Sequence, residues 1–284
     1  MTNAQLYLED LKTKFNKINP KEYYLSYSGG KDSHLLYWFI KEYAHIDGIK
    51  VVGINTYMEH PEIRQRIYDN CDIILLPVKK PHEIKEQYGI PCFSKTQDEL
   101  IYLYQKGSRA EYLLDRIYDR DFLGKDGKMH PNKFGLNKKN RELLLNNKLH
   151  PISKKCCDFL KKKPAHKFEK ENNLKPILGV RSYEGATRKA KYKSCFTKDM
   201  KFTPIWDLDD KLLNEIYNEF NIEIPSIYNY VTRTGCMGCP YGHYAHEVEK
   251  ELALLGENQK RFVCDYFKES YDILGIKIDD EKWF

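Results

Sequence analysis

The sequence lacks any apolar run approaching the roughly 20 residues that a membrane-spanning helix requires. Its opening stretch, MTNAQLYLEDLKTKF, has mixed charge and lacks both the apolar core of a secretory signal and the acid-poor composition of a transit peptide. Internal repeats and low-complexity linkers are also missing. We therefore expect a cytoplasmic globular protein with no membrane partner.

The composition is that of a globular protein with an excess of positive charge. The chain has 284 residues, of which 31% are charged and 13% are aromatic, and it is long enough to bury a substantial core. Its formal net charge is +6. This balance favours an anionic partner, either a nucleotide or a nucleic acid, although solvated lysine faces produce the same balance.

Strand and helix patterns alternate along the chain. Apolar, β-leaning runs occupy residues 23–27, 49–55, 72–78 and 175–181, and runs of helical periodicity occupy 35–43 and 61–68. This alternation predicts an α/β fold with a doubly wound, mainly parallel sheet. We also expect helical insertions and a C-terminal section that contains cysteines.

The first strand pattern is followed by Ser28-Gly-Gly-Lys-Asp-Ser33, which opens the first helical run. Glycines permit backbone conformations that leave several N–H groups pointing inward, and a helix N-terminus favours negative charge. With the hydroxyls of Ser28 and Ser33 and the charge of Lys31, these groups would form an anion cradle. Asp32 has the wrong sign for that role, and would either cap the helix or hold Mg²⁺. A tight turn capped by Ser and Asp, with no ligand, explains the same residues.

This hexapeptide is neither the phosphate loop G-x-x-x-x-G-K-[ST] nor the dinucleotide motif G-x-G-x-x-G. It resembles the SGGxDS turn of the PP-loop ATP pyrophosphatase superfamily, whose members cleave ATP between its α and β phosphates or bind an adenylylated compound. The resemblance implies an adenine nucleotide alpha hydrolase-like fold, ATP and Mg²⁺ as ligands, and catalytic roles for Lys31 and Asp32. The implied nucleotide contacts in the turn are Ser28, Gly29, Gly30, Lys31, Asp32 and Ser33.

Two later segments are similar to the branch of that superfamily that contains the phosphoadenosine phosphosulfate (PAPS) reductases. One is NTYMEHPE at 55–62, which has Tyr57 where the branch has glycine, and the other is LGVRSYEGATR at 178–188, which has Gly185 where the branch usually has serine. The resemblance implies that Arg181 is catalytic and clamps a phosphate or sulfate. A surface salt-bridge set at helical spacing is the alternative for its charged residues. The implied nucleotide contacts are Asn55, Thr56, Glu59, Gly179, Arg181, Glu184 and Arg188.

These motifs predict how the chain is divided. We expect an N-terminal helix in residues 1–19 and a PP-loop nucleotide-binding domain in 20–235, with a helical, basic insertion at about 82–155. Residues 236–284 would add the Cys-x-x-Cys segment and C-terminal helices packed on the same domain. The polar stretch 121–137 has the composition of a loop. The stretch Ile224-Pro-Ser-Ile-Tyr228 is similar to the I-P-x-x-x-Y landmark of the branch and is interpreted mainly as packing.

The cysteine spacing indicates a metal centre. The chain has eight cysteines, including an adjacent pair and a Cys-x-x-Cys, and clustered thiols in a cytoplasmic chain are more often metal ligands than disulfides. Soft sulfur suits zinc or an iron–sulfur cluster. The pattern resembles the 4Fe-4S ligand set of adenylylsulfate (APS) reductases, which implies Cys156, Cys157, Cys236 and Cys239 as ligands. Cys195 is a candidate to replace one of the adjacent pair, zinc is the alternative metal, and Cys71 and Cys92 are interpreted as packing residues.

The chain departs from the reductases at its C-terminal end. The Cys-Gly-x-His motif that holds their nucleophile is missing, and the only cysteine after the Cys-x-x-Cys is Cys264, whose apolar neighbours predict a core position. We therefore favour iron–sulfur-dependent, ATP-pyrophosphatase-type sulfur transfer to a nucleic acid, either tRNA or DNA, with a partner protein that donates sulfur or electrons. The alternatives are a PAPS or APS reductase, whose ligand is an adenylyl sulfonucleotide and whose nucleophile is Cys264 or Cys195, and a non-catalytic nucleotide-sensing module. The sequence does not decide whether the protein forms a homodimer.

Overall fold

The computed structural model describes residues 1–123, 126–132, 135–245 and 247–277. The chain forms two compact units, each made of two separate stretches. The first unit contains residues 1–78 and 161–235, and the second contains 79–160 and the residues from Cys236 onward. Within the described residues, no helix is both long and apolar enough to cross a bilayer.

Six strands and thirteen α-helices are formed by the described residues. The strands are β1 (Tyr23–Tyr27), β2 (Lys50–Ile54), β3 (Ile73–Leu75), β4 (Phe122–Leu123), β5 (Met129–His130) and β6 (Lys175–Leu178). The helices are α1 (Asn3–Phe15), α2 (Lys31–Trp38), α3 (Pro61–Asn70), α4 (Pro81–Tyr88), α5 (Lys95–Gln105), α6 (Glu111–Tyr118), α7 (Lys138–Leu145), α8 (Lys155–Cys157), α9 (Lys163–Asn172), α10 (Ala186–Lys191), α11 (Asp210–Glu219), α12 (Val248–Ala253) and α13 (Glu257–Leu274). Short 3₁₀ and π turns join several of them.

The first unit is built on a four-stranded sheet in the order β3-β2-β1-β6, and all of its pairings are parallel. Leu25 of β1 aligns with Val51 of β2 on one side and with Ile177 of β6 on the other. The chain therefore runs outward from β1 to β3 and later returns to the opposite side of β1. In open α/β sheets this change of direction creates a crevice at the carboxyl ends of the strands, where ligands bind. The residues after β1 and β6 line that crevice.

Helices cover both faces of this sheet. On one face the ring of Phe168 in α9 lies 5.1 Å from that of Tyr24. Side chains alternate along a strand, so Tyr23 points to the opposite face, where its ring lies 6.2 Å from that of Phe202. Phe15 of α1 also packs on Phe202, with their ring centroids 5.1 Å apart. The predicted doubly wound, mainly parallel α/β fold is thereby confirmed.

The second unit joins the insertion to the C-terminal helices. Lys85 of α4 forms an ion pair of 3.1 Å with Glu269 of α13, and the Ser270 hydroxyl donates to the Pro91 carbonyl at 2.7 Å. Its apolar core includes Phe93, which precedes α5, and side chains of α5, α6 and α7 such as Leu100. The sequence predicts that residues 236–284 pack on the nucleotide-binding domain. The structure groups their described part with the insertion because these contacts bury the inner faces of α4 and α13 together.

The stretch 121–137, which was expected to be a polar loop, contains an antiparallel pair. Phe122 of β4 pairs with His130 of β5. Asp126 between the strands accepts a hydrogen bond from the His130 ring at 2.8 Å. Elsewhere β3 is shorter than predicted, since only Ile73–Leu75 pairs with β2.

Candidate functional site

The glycine turn lies between β1 and α2, and its own side chains fix its shape. The Ser33 hydroxyl accepts a hydrogen bond from the Ser28 amide at 3.2 Å and donates to the Gly30 carbonyl at 3.0 Å. Gly29 has φ +75°, and a Cβ there would lie 2.8 Å from the Ile63 carbonyl oxygen. Both the backbone angle and the space require glycine. The six-residue motif therefore specifies this turn locally.

Most backbone amides of the turn have no acceptor within the described chain. The Ser28 amide bonds to Ser33, and the Lys31 amide donates to the Tyr228 hydroxyl at 3.0 Å. The helix N-cap is Gly30, which has no side chain to accept from the first turn of α2. The amides without an acceptor are those of Gly29, Gly30, Asp32 and Ser33. Clustered free amides at a helix N-terminus form a site for an anion.

Two tyrosines hold the backbone of Lys31 in place. Tyr228 accepts from its amide, while the Tyr217 hydroxyl donates to its carbonyl at 2.6 Å. Tyr228 also forms a 2.9 Å hydrogen bond with the Thr234 hydroxyl, and burial raises the pKa of Tyr228, which keeps its hydroxyl protonated. The sequence analysis interpreted the segment around Tyr228 as packing and missed this contact. The only signal was the I-P-x-x-x-Y landmark itself.

Arg181 lies beyond the end of β6 and pairs with the glycine turn. Its Nε donates to Oδ1 of Asp32 at 2.8 Å, and its Nη2 lies 2.9 Å from Oδ1 of Asp210. The third nitrogen, Nη1, donates to the Leu208 carbonyl at 3.4 Å. Arg181 is 2% exposed, and each guanidinium nitrogen has a protein acceptor. Arg181 therefore positions Asp32, its role as an anion clamp stays a prediction, and Asp32 does not cap α2.

Glu184 and Arg188 form the next pair along the chain. Glu184 accepts from the backbone amide of Arg181 at 3.1 Å and from the side chain of Arg188. Burial lowers the pKa of Arg188, and the nearby charge of Arg233 lowers it further. Glu184 thus orients Arg188 rather than the Arg181 guanidinium. Gly179 lies so close to the turn that a Cβ on it would meet the Ser33 nitrogen at 2.8 Å.

These segments enclose a cleft of about 720 Å³ in the first unit. The glycine turn forms one wall, the stretch 179–188 forms a second, and the stretch 228–234 forms a third. Two of its cationic side chains, Lys31 and Arg233, have no carboxylate partner among the described residues. The ammonium of Lys31 lies 5.5 Å from the ring centre of Tyr228. The cleft thus combines free amides with free positive charge.

The segment after β2 forms a closed loop. Glu59 is buried and accepts hydrogen bonds from the amide and hydroxyl of Thr56, while the Asn55 side chain donates to the Tyr68 hydroxyl at 2.8 Å. Tyr57 has φ +66°, so it adopts the left-handed conformation that the expected glycine would favour. Tyr57 thus occupies a backbone position that glycine adopts without strain.

A second cavity, of about 280 Å³, lies over the sheet face that carries Tyr24 and Ser26. Thr56 and Glu59 line it, as do apolar side chains that include Leu178. It shares Ser28 and Thr234 with the cleft. The two cavities therefore adjoin at the glycine turn.

Four of the nominated cysteines lie in the second unit. A hydrogen bond with Cys157, burial, and the nearby Cys239 and Cys236 all raise the pKa of Cys156. The four thiols are therefore close enough to interact electrostatically. Within the described part of the chain, however, no group of three or more His, Cys, Asp or Glu side chains is arranged to hold a metal ion.

The remaining four cysteines are divided between the two units. Cys195 belongs to the first unit, where its carbonyl accepts from the Thr203 amide at 2.7 Å. Burial raises the pKa of Cys71 and of Cys92 to about 12, in keeping with packing roles. Cys264 is only partly buried on α13, so its predicted core position is wrong.

The parallel sheet, the crevice beside β1 and the glycine turn define a doubly wound α/β protein. No protein-family model matches the chain, and no curated protein sequence is similar to it. Among solved structures, it is similar to a Candida auris PAPS reductase in a phosphate complex, with 12% identity, 83% of this chain and 97% of that chain covered, and a TM-score of 0.40. It is also similar to an NAD+ synthetase from Burkholderia pseudomallei, with 10% identity, 94% and 92% covered, and a TM-score of 0.41.

A third similar structure is an NH3-dependent NAD synthetase from Campylobacter jejuni in complex with nitrate. The identity is 11%, 97% of this chain and 96% of that chain are covered, and the TM-score is 0.36. Similarities at this level say nothing about what the present chain binds. The functional conclusion therefore depends on the site itself.

Proposed function

We propose that the first unit binds ATP or another adenylyl nucleotide with its phosphates on the glycine turn, and that it cleaves ATP between the α and β phosphates. The observation that supports this most strongly is the set of four free amides beside Lys31. They lie at the switch point of the sheet, beside β1, where the strand order changes direction. Such groups match phosphate oxygens in charge and in hydrogen bonding. The free amides alone indicate only a phosphate. The resemblance of SGGKDS to the PP-loop turn is the reason for proposing an adenylyl nucleotide and cleavage between its α and β phosphates.

The two adjoining cavities support this placement of the ligand. The phosphates would occupy the cleft, and the nucleoside would occupy the second cavity, whose walls mix apolar Ile54 and Leu178 with the polar Ser26 side chain. A largely apolar pocket with a few polar groups suits a flat base. Ser28 and Thr234, which line both cavities, would lie near the α phosphate.

The same residues account for the chemistry. A nucleophile of the acceptor attacks the α phosphorus, the bond to the bridging oxygen breaks, and pyrophosphate leaves with the negative charge. Lys31 and the free amides stabilise that charge by donors that are already in place. Asp32, held by Arg181 through one carboxylate oxygen, would bind Mg²⁺ through the other. When bound, Mg²⁺ supplies charge neutralisation at the phosphates.

We infer that the acceptor is a nucleic acid and that sulfide-level sulfur from a partner protein then attacks the adenylylated acceptor. A bond to sulfur forms there, the bond to the AMP oxygen breaks, and AMP leaves, so that no oxidant is needed. The net charge of +6 favours a polyanionic acceptor. The cysteine group of the second unit supports sulfur or redox chemistry in the same chain. Neither the charge nor the cysteine group distinguishes tRNA from DNA as the acceptor.

We also propose that Cys156, Cys157, Cys236 and Cys239 bind a thiolate-ligated metal centre. The type of donor fits a 4Fe-4S cluster, which the resemblance favours, and zinc is the alternative. Because the described side chains form no ready-made site, the thiols must reorient when the metal binds. Iron and sulfide analysis with a visible spectrum after anaerobic purification tests this. A colourless protein that contains zinc would contradict the cluster and the sulfur-transfer reading.

The test of the main proposal is to measure AMP and pyrophosphate formed from ATP by the full chain, with and without RNA or DNA. Lys31→Ala should lower product formation at least tenfold, because the departing charge loses a cation. Lys170→Ala, which removes an exposed lysine of the same unit outside both cavities, should have no effect. Thiol-dependent release of sulfite from PAPS or APS would instead indicate a reductase. Tight nucleotide binding with no product would indicate a sensor.

A further inference from the structure

Two exposed tyrosines line the same cleft as the glycine turn. Tyr183 is 60% exposed in the 3₁₀ turn Ser182–Glu184, and Tyr230 is 56% exposed directly after the 3₁₀ turn Ser226–Asn229. Single exposed aromatic residues are ordinary on a protein surface. Two that line one cleft together with a free cation have the composition of a base-stacking platform. We call Tyr183, Tyr230 and Arg233 the rim of the cleft.

Arg233 is the cation of the rim. The other arginines of the cleft are neutralised, Arg181 by Asp32 and Asp210 and Arg188 by Glu184. Arg233 has no carboxylate partner among the described residues, and it is close enough to Arg188 to lower the pKa of that side chain. Arg188 and Arg233 are two neighbouring guanidinium groups, and only Arg188 has a carboxylate partner, so a local excess of positive charge remains. An anionic ligand at the rim would relieve it.

We propose that the rim binds the acceptor of the reaction as a single-stranded nucleic acid, with a backbone phosphate on Arg233 and unpaired bases on the rings of Tyr183 and Tyr230. The assignment of this ligand as the acceptor rests on the proposed function. The free amides and Lys31 of the glycine turn are left for the nucleotide. The rim therefore adds a second anionic substrate to the same cleft without competing for these groups.

The aromatic rings select single strands over duplexes. In a duplex the base faces are already stacked on one another, whereas unpaired bases offer both faces to a tyrosine ring. An acidic peptide would satisfy Arg233 but would gain little from two exposed rings. The pairing of rings with one free arginine thus favours a nucleic acid over a peptide.

Fluorescence anisotropy with the full chain tests the proposal, using a labelled single-stranded RNA and DNA oligonucleotide and a duplex of the same sequence. Tyr183→Ala and Tyr230→Ala should each weaken binding of the single strands about 5- to 150-fold, because each loses one stacked base. Tyr183→Phe and Tyr230→Phe should bind like the unaltered chain, since the ring is kept. Tyr112→Ala is the matched control, because Tyr112 is 57% exposed but belongs to the second unit.

Arg233 provides a separate readout. Arg233→Ala should reduce the slope of log affinity against log salt concentration by about 0.7, as expected when one phosphate contact to a single strand is lost. Arg233→Lys should preserve most of the slope. A merely structural role for Arg233 would change the affinity without changing the slope.

Three results would overturn the proposal: alanine variants of the rim that bind like the unaltered chain, a Tyr112→Ala loss as large as theirs, or a duplex bound as tightly as the single strand. Displacement of the oligonucleotide by an acidic peptide, with no effect of the rim tyrosines, would do the same. ATP affinity is measured in parallel. A chain that binds the oligonucleotide through the rim but binds no ATP would contradict the proposed function alone.

Discussion

The guanidinium Nε of Arg181 lies 2.8 Å from Oδ1 of Asp32, although the two residues are 149 positions apart in the sequence. This ion pair joins the end of β6 to the glycine turn across the switch point of the sheet. Arg181 is 2% exposed and the Asp32 side chain 16%, so the pair is shielded from water. It fixes the turn that we propose as the phosphate site.

Arg181→Ala should destabilise the first unit by about 3 kcal/mol, because Asp32 keeps a partly buried charge without its partner. The measurement is the midpoint of chemical denaturation. Lys211→Ala, which removes one member of an exposed ion pair with Glu215, should leave that midpoint nearly unchanged. Equal effects of the two substitutions would show that the Arg181 pair does not stabilise the turn.

Gly29→Ala should weaken nucleotide binding by more than tenfold. The added Cβ would lie 2.8 Å from the Ile63 carbonyl oxygen, so the turn must shift and its free amides with it. Gly275→Ala is the matched control, since Gly275 has nearly the same φ, +72°, but open space around its Cβ position. It should cost about 1 kcal/mol of stability and leave nucleotide binding unchanged. Isothermal titration with ATP and Mg²⁺ distinguishes the two.

Tyr57→Gly should stabilise the protein by about 1 kcal/mol, seen as a higher melting temperature. Tyr57 has φ +66°, a conformation that costs a residue with a Cβ roughly 1–2 kcal/mol and costs glycine nothing. Tyr57→Ala keeps the strain and should bring no gain. A melting temperature that falls with Tyr57→Gly would mean that contacts of the half-exposed ring outweigh the strain.

The stability of the second unit should fall as the pH rises through the range from about 4 to about 6. Burial raises the pKa of Asp98 to about 6 from 3.8, although its carboxylate accepts hydrogen bonds from the Cys92 and Phe93 amides and from Tyr241. Between pH 4 and pH 6 the Asp98 carboxyl is protonated in the folded chain but ionised in the unfolded chain. Unfolding therefore releases a proton, and a higher pH favours unfolding. The loss is on the order of 3 kcal/mol.

Denaturation midpoints measured at intervals between pH 4 and pH 8 check this dependence. Asp98→Asn should be less stable at low pH, because an amide nitrogen, which cannot accept a hydrogen bond, replaces one of the two acceptor oxygens. Its stability should also depend less on pH. An unchanged slope in Asp98→Asn would assign the dependence to another buried carboxyl group.

The sequence predicted the features that local signals determine. β1, the glycine turn and the start of α2 follow from a β-leaning run, two glycines and a helical period, and they lie where expected. The partners of the turn could not be predicted in the same way. Tyr228 bonds to Lys31 over 197 positions, and no local pattern encodes such a contact.

The division of the chain was only partly predictable, for a similar reason. The boundary at residue 235 was expected, because the Cys-x-x-Cys begins there. The grouping of the C-terminal helices with the insertion depends on which helix faces meet, and the ion pair between Lys85 and Glu269 is one contact across such a pair of faces. Helical periodicity identifies an apolar face but not the face that covers it.

The central claim is that the free amides of the glycine turn bind the phosphates of an adenylyl nucleotide. Amide-resolved NMR of the ¹⁵N-labelled full chain, titrated with ATP and Mg²⁺, tests it most directly. The account predicts that the amide resonances of Gly29, Gly30, Asp32 and Ser33 shift strongly and saturate together. ATP binding that leaves these four resonances unchanged, or no binding at all, would contradict it.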